Sequence, residues 1–261
     1  MLNIVVPMAG RGSRFANQGY SLPKPLIEVR GTPMIQVAMS NLIPEQDHRF
    51  VFLCLNEHLE NLPTESYLRQ ICPNCEIVPV EGVTQGAACT VLLAKEFIDS
   101  DDALMIVNSD QWVDIEINDY LSKMDQQQAD GLIMTMTAND AKWSYIRQSP
   151  TGEITEVVEK EVVSSEATVG IYNFRRGSEF VAAAEDMIAR NLRVNNEFYV
   201  APTYNMLIEQ GKRLAYYNIG SEGNGMHGLG IPSDLNAFLG SPACDKAMEL
   251  VGQQIDRIQA A

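Results

Sequence analysis

Leu2-Asn-Ile-Val-Val6, running into Pro7-Met-Ala-Gly-Arg-Gly-Ser-Arg-Phe15, is the stretch from which the fold is read. Its first part is short, β-branched and apolar, the pattern of a buried strand. The chain then enters a loop holding Gly10 and Gly12, with Arg11 and Arg14 in the loop and Lys24 following in Pro23-Lys-Pro-Leu26. Glycine lets a backbone approach a bulky anion and aim its N–H groups at it, and such nests bind phosphate. Two guanidinium groups and one ammonium add the charge to hold a triphosphate. A strand, a glycine turn and these cations point to a nucleotide site.

Two other phosphate loops do not fit. A dinucleotide fingerprint needs a third glycine where this chain has Phe15, and nothing in the chain supplies the G-x-x-x-x-G-K-[ST] of a P-loop. Outward from the loop, Ile4–Met8, Phe50–Leu55, Glu76–Val80 and Ala103–Asn108 read as strands. Pro33–Leu42 and Thr84–Phe97 have helical character, and Glu57–Gln70 has it more weakly because Pro63 falls inside it. Alternating β and α elements predict an α/β fold with a doubly wound, mostly parallel sheet. Ligands of such sheets bind beyond the carboxyl ends of the strands, where the glycine loop and Asp110 would both lie.

The second half changes character. Gly131–Thr137 and Thr168–Phe174 read as strands, and Tyr145–Gln148 with Ile154–Val158 as a hairpin around Ser149-Pro-Thr-Gly152. A helix follows in which Phe180, Ala184, Met187 and Ile188 share a face. A final amphipathic helix places Ala247, Val251, Ile255 and Ile258 on one stripe, suited to packing on the domain or on a second copy of the chain. No linker-like stretch divides the sequence. One domain is expected over residues 1–240, with a nucleotide half to about residue 130, an acceptor half from about 131, and a C-terminal helix in 241–261.

The chain has 261 residues, 46% of them hydrophobic, enough for a substantial core. Its net charge of −15 argues against non-specific nucleic-acid binding and against docking on anionic membranes. A polyanionic substrate must therefore be attracted locally, which gives the cations at 11, 14 and 24 their weight. No apolar run approaches the roughly 20 residues that span a bilayer. No basic stretch precedes an apolar one at the N-terminus, so a cytoplasmic protein is expected. The five cysteines are odd in number, and Cys72-Pro-Asn-Cys75 has no second Cys or His pair at zinc spacing. It reads as a turn before a strand.

Asp110 closes Asn108-Ser-Asp110 after an apolar strand. Mg²⁺ favours carboxylate and phosphate oxygens and keeps several waters, so one protein carboxylate can suffice. By residue type alone, Asp110 could equally cap a following helix. Likewise, the adjacent Glu159 and Lys160 would point to opposite faces of a strand unless a bulge or turn intervenes, and could be a solvated pair.

Taken together, Gly10, Gly12, Arg14 and Pro23-Lys24-Pro25-Leu26 resemble the Gly-x-Gly-x-Arg and Pro-Lys-Pro-Leu signature of nucleotidyltransferases that join a nucleoside triphosphate to a sugar phosphate or similar metabolite. Further segments are similar in the same order: Gln85-Gly-Ala-Ala-Cys-Thr90, Asn108-Ser-Asp110, Trp143-Ser-Tyr145, Glu159-Lys160, Ala167-Thr-Val-Gly-Ile-Tyr172, Asn195-Asn-Glu-Phe-Tyr199 and Gly230-Ile-Pro-Ser-Asp-Leu235. The likeness is strongest to members that serve bacterial surface-polysaccharide synthesis. It implies a Rossmann-like nucleotidyltransferase fold with a smaller mixed substrate-binding region.

The resemblance also implies roles. Arg14, Lys24, Asp110 and Lys160 would be catalytic. Ala9, Gly10, Gly12, Arg14, Lys24, Gln85, Gly86 and Asn108 would bind the nucleotide. Tyr145, Glu159, Lys160, Thr168, Gly170, Asn196 and Glu197 would bind the phosphorylated acceptor, and Asp110 would hold Mg²⁺. Many relatives carry a second metal-binding Asp where this chain has Gly228, so that ligand does not carry over, and Asp234 reads as a helix N-terminal residue. A glycosyltransferase of related architecture would typically show Asp-x-Asp, against Asp110-Gln-Trp here. A non-catalytic nucleotide-sensing module would not require the set Arg14, Lys24, Asp110 and Lys160.

Overall fold

The computed structural model describes residues 1–260, with side chains through residue 258. β1 (Leu2–Pro7) is buried along almost its whole length, as its β-branched run demands. It is followed by α1 (Ser13–Ala16), a 3₁₀ turn (Lys24–Leu26), the two-residue strands β2 (Glu28–Val29) and β3 (Thr32–Pro33), and α2 (Met34–Met39). Next come β4 (His48–Leu55), α3 (Asn56–Asn61), α4 (Thr64–Ile71) and β5 (Glu76–Val80). The weak helix expected over 57–70 is thus two, broken at Pro63, which has no N–H to continue the ladder. α5 (Ala87–Leu92) and α6 (Lys95–Ile98) replace the single helix expected over 84–97, and β6 (Ala103–Val107) ends this part.

β5, β4, β1 and β6 lie side by side in that order and all run parallel. The winding reverses between β1 and β6, and a crevice opens beyond the carboxyl ends of strands at such a reversal. The glycine loop leaves β1 there, and Asn108 to Asp110 leave β6 beside it.

The rest of the chain builds β7 (Gln111–Val113), α7 (Ile117–Gln126), β8 (Gly131–Thr137), β9 (Ser144–Gln148), β10 (Ile154–Glu159) and β11 (Glu166–Phe174). It ends in α8 (Gly177–Ala189), α9 (Thr203–Glu209), β12 (Leu214–Glu222), β13 (Gly225–Gly228), α10 (Pro232–Leu239) and α11 (Pro242–Ala260). β11 runs antiparallel to β6 and β8, so the sheet continues unbroken but mixed, through β12 and β13 to β7. The β9–β10 hairpin hangs from β11 through the Ala167–Tyr145 pair. Together they form the α/β sheet with helices packed on it that the alternating pattern predicts. Cys72 to Cys75 form the expected turn, closed by the Cys75 N–H donating to the Cys72 carbonyl at 3.0 Å, and all five cysteines are free thiols. Among the described residues no helix is long and apolar enough to cross a membrane.

One apolar cluster packs on each face of the sheet, and a third anchors the functional loops. Phe15, Trp112, Leu229, Phe238 and Val251 meet in that third cluster. Burying a phenylalanine contributes about 2 kcal/mol, so Phe15 pins the glycine loop to α10 and α11. His227 lies against this cluster, with its ring centroid 5.6 Å from Trp112 and 5.7 Å from Phe238. Burial holds its pKa below the ordinary 6.5, against the opposing pull of Asp114. The fold therefore favours the neutral imidazole. Its contribution to stability is full above the unfolded value and is lost as pH falls through the lowered folded one. Burial shifts His58 the same way. The thermal midpoint should fall between about pH 7.5 and about pH 5.5, and by less in His227→Gln. A fall in His227→Gln as large as that of the unsubstituted protein would contradict this.

Candidate active site

Two cavities meet at the reversal point and share Asn108 as a wall. The smaller, about 190 Å³, is lined by Pro7, Met8, Gly10, Lys24, Pro25, Asn108, Ser109 and Asp110. Gly12 has φ +60°, the left-handed region that glycine tolerates, and a Cβ there would lie 3.1 Å from the Lys24 Cβ. Its glycine thus turns the chain into α1 and lets the 3₁₀ turn press against the loop. Gly10 is exposed, and a Cβ there would meet nothing within 4 Å. Arg11 and Arg14 are exposed and make no ion pair among the described residues, whereas Arg30, Arg69, Arg147, Arg175, Arg176 and Arg190 are paired with carboxylates. Ala9 is buried behind the loop.

Lys24 and Asp110, read separately in the sequence, hold each other. The Lys24 ammonium donates to Asp110 Oδ2 at 2.8 Å, and the two side chains are 21% and 29% exposed. Asp110 is also tied through its backbone, since the Leu229 N–H donates to its carbonyl at 2.8 Å. A Cβ at Gly230 would come within 2.7 Å of Asp110 Oδ2, so a side chain there would require that carboxylate to move. The carboxylate of Asp234, in the first turn of α10, lies 3.1 Å from where a Cβ of residue 228 would stand.

The larger cavity, about 230 Å³, draws its walls from β9, β10, β11 and the 199–201 segment. Glu159 and Lys160 both line it, and the backbone explains how neighbours can. Lys160 sits just past the end of β10 with φ +58°, a left-handed conformation costing about 1 kcal/mol for a side-chain-bearing residue. Its N–H donates to the Trp143 carbonyl at 3.1 Å, which holds the turn. The Lys160 ammonium then donates to the Tyr199 hydroxyl at 2.5 Å and lies 4.5 Å from that ring's centroid. The hydrogen bond to Tyr199 raises the Lys160 pKa, with Glu159 and Glu197 adding to it, so the lysine stays charged. Burial raises the Glu159 carboxyl, while the Ser144 hydroxyl that donates to it and the Lys160 charge pull it back.

β11 carries an irregularity between Thr168 and Tyr172 that places Gly170, φ +75°, against Asn108. A Cβ at Gly170 would overlap the Asn108 amide at 2.0 Å, so glycine is what allows Asn108 to stand between the two cavities. The Thr168 and Tyr172 hydroxyls pair at 2.9 Å in the larger one.

Not every candidate lines a cavity. Tyr145 is buried in the core with its hydroxyl donating to the Asp140 carbonyl, while Trp143 and Ser144 face the cavity. Gln85 and Gly86 are zippered to Phe198: the Phe198 N–H donates to the Gln85 carbonyl, and a Cβ at Gly86 would lie 2.4 Å from the Phe198 carbonyl. Asn196 and Glu197 lie exposed in a turn, where the Glu197 carboxylate acts on Tyr199 and Lys160. Lys142, Ser144, Tyr172 and Tyr199 line the larger cavity without having been given a role from the sequence, although the last three fall within the similar segments quoted above. Alternation along β9 would have found Ser144, and Tyr199 closes the similar segment Asn195-Asn-Glu-Phe-Tyr199, though residue type alone gives it no role.

Among the described residues no three His, Cys, Asp or Glu side chains converge as a metal cluster. Around Asp110 the donors are oxygens: one carboxylate, with the Asn108 and Ser109 groups nearby in the cavity wall. That set fits a hard cation that takes few protein ligands, and it does not fit zinc.

Among solved structures, the chain is similar to a nucleoside-diphosphate-sugar pyrophosphorylase from Vibrio cholerae RC9, with 24% identity over 91% of this chain and 100% of that one and a TM-score of 0.75. It is similar as well to the inositol-1-phosphate CTP transferase from T. maritima, with 13% identity over 95% of each chain and a TM-score of 0.73. At these identities the likeness is one of fold. The model of the nucleotidyl transferase family matches residues 4–218, a span that takes in the glycine loop, Lys24, Asp110 and Lys160. On that match, which covers most of its length, the chain belongs to the nucleotidyl transferase family.

Proposed function

We propose that this protein transfers a nucleoside monophosphate from a nucleoside triphosphate to a sugar phosphate or similar phosphorylated small metabolite, with Mg²⁺ and release of pyrophosphate. Its product would feed surface-polysaccharide precursor synthesis. The observation that carries the reading is the pair of adjoining cavities. One has a glycine loop and Lys24–Asp110, the other has the charged Lys160, and Asn108 stands between them. We assign the nucleotide to the half before about residue 130 and the acceptor to the half after it, on one domain ending near 240.

An acceptor phosphate oxygen attacks the α-phosphorus, a P–O bond forms there, and the bond to the bridging oxygen of the leaving pyrophosphate breaks. The nucleophile is already anionic at neutral pH, so no strong general base is required, and positioning with charge neutralisation supplies the catalysis. The Gly10 and Gly12 amides with Arg14 hold the pyrophosphate. Lys24 offsets charge on the α-phosphate, and Lys160 aligns the acceptor phosphate while Glu159, Thr168 and Tyr199 bound its other groups. Mg²⁺ on Asp110 would supply further charge neutralisation at the phosphates.

Lys160→Ala should raise the acceptor KM by at least about tenfold, the scale of a lost charge-assisted contact, and leave nucleotide affinity near normal in calorimetry. Equal damage to both would move Lys160 out of the acceptor site. Arg14→Ala should weaken use of the triphosphate by about 2 kcal/mol in kcat/KM without changing thermal stability, since the side chain is exposed and unpaired. Unchanged kcat/KM would remove Arg14 from the pyrophosphate grip.

A further inference from the structure

Lys160 lies just past β10 in a left-handed turn, and a lysine stem has many rotamers to choose from. An ammonium that must meet a phosphate at a set place binds better when its rotamer is fixed beforehand. The Tyr199 hydroxyl does this, accepting from the Lys160 ammonium at 2.5 Å. An ammonium can only donate, so the hydroxyl keeps its own proton for another acceptor. Burial and then Glu197 raise the Tyr199 pKa, with Lys160 pulling against them, and the group stays a neutral phenol. It can therefore accept from Lys160 and donate toward Glu197.

The backbone around Tyr199 is held from two sides. Val194 and Glu197 exchange backbone hydrogen bonds of 3.1 and 2.9 Å across Asn195 and Asn196. Those two residues have φ +48° and +63°, the left-handed pair of a type I′ turn, a conformation that asparagine tolerates. Directly after the turn, the buried Phe198 donates its N–H to the Gln85 carbonyl at 2.8 Å. The Phe198 carbonyl accepts from the Ala88 N–H at 3.0 Å. Tyr199 thus leaves a stretch of backbone that is locked onto residues 85–88, in the first half of the chain. Its hydroxyl reaches Lys160 at the end of β10, in the second half.

We propose that Tyr199 is a positioning residue of the transfer reaction, holding the Lys160 ammonium in register with the 85–88 segment. The resemblance gives Gln85 and Gly86 to the nucleotide, so the acceptor phosphate would be presented at a set distance from the other substrate. In-line attack depends on such relative placement. The hydroxyl acts only through Lys160, so its role rests on the assignment of Lys160 to the acceptor phosphate.

Tyr199→Phe tests this, because it keeps the ring that walls the cavity and removes only the hydroxyl. The acceptor KM should rise about fivefold in a pyrophosphate-release assay, with nucleotide affinity unchanged in calorimetry. In the Lys160→Ala background the same substitution should add nothing, since its target is gone. Acylation of the lysines by acetic anhydride, read by mass spectrometry, needs no turnover. Loss of the hydrogen bond that raises the Lys160 pKa leaves more free amine, so labelling at Lys160 should rise about threefold while Lys24 and Lys142 label as before. An unchanged acceptor KM in Tyr199→Phe, beside a raised one in Lys160→Ala, would overturn the role of Tyr199 alone. A further rise in the double variant would make Tyr199 a direct contact and overturn it as well. An unchanged acceptor KM in Lys160→Ala would remove the acceptor-site reading and this role together. Equal labelling of Lys160 in the two proteins would overturn the role whether or not turnover is seen.

Discussion

Asp110→Asn is expected to lower kcat/KM by about 10³-fold while leaving the fold intact. Asparagine keeps the size of the side chain, so the close approach of Gly230 is undisturbed. What goes is the negative charge that both the Lys24 ammonium and a hard cation require. Excess Mg²⁺ should restore little, because β13 ends in Gly228 where a second acid would be needed. Circular dichroism establishes that the variant is folded, and a Mg²⁺ titration of both proteins reads the effect. Near-normal turnover at low millimolar Mg²⁺ would place the metal elsewhere, and Asp234 beside Gly228 would be the first residue to examine.

Lys24→Ala should produce two effects of opposite sign. The Lys24 ammonium donates to Asp110 Oδ2 at 2.8 Å. A metal ion arriving at that carboxylate competes with the ammonium for its charge, and a triphosphate would offer the lysine another anion. Removing the lysine should tighten Mn²⁺ binding to the nucleotide-free protein, measured by electron paramagnetic resonance. The same substitution should lower kcat by about 10²-fold, because charge offset at the α-phosphorus matters most in the transition state. Weaker Mn²⁺ binding in the variant would show that the pair does not compete with metal. A rise in KM alone would make Lys24 a ground-state contact.

The parallel half of the sheet was legible because strands buried on both faces read as uninterrupted apolar runs: β1 and β6 stand where the sequence puts them, to within a residue or two. β12 was not legible, being largely half-buried along 214–222 and so lacking both the run and a clean alternation. β7 and β13 are too short to carry a pattern. In α11 the stripe drifts inward by one residue, exchanging Ile255 for Gln254, a tertiary choice that periodicity cannot express. Within the candidate site, the glycine loop is visible from residue types alone. The left-handed turn at Lys160 leaves no such trace, because a lysine is an unusual residue for that conformation. Pairing of Lys24 with Asp110 joins positions far apart in the chain, and only the strand order brings them together.

The central claim is that a phosphorylated acceptor attacks the α-phosphorus of a nucleoside triphosphate on this chain. Pyrophosphate release, followed for the four nucleoside triphosphates against a panel of phosphorylated metabolites, tests it most directly. The account predicts that at least one pairing releases pyrophosphate, that both substrates are required, and that Asp110→Asn and Lys160→Ala suppress it. Tight triphosphate binding without turnover, or release of a nucleoside diphosphate from a nucleotide sugar in place of pyrophosphate from a triphosphate, would contradict it.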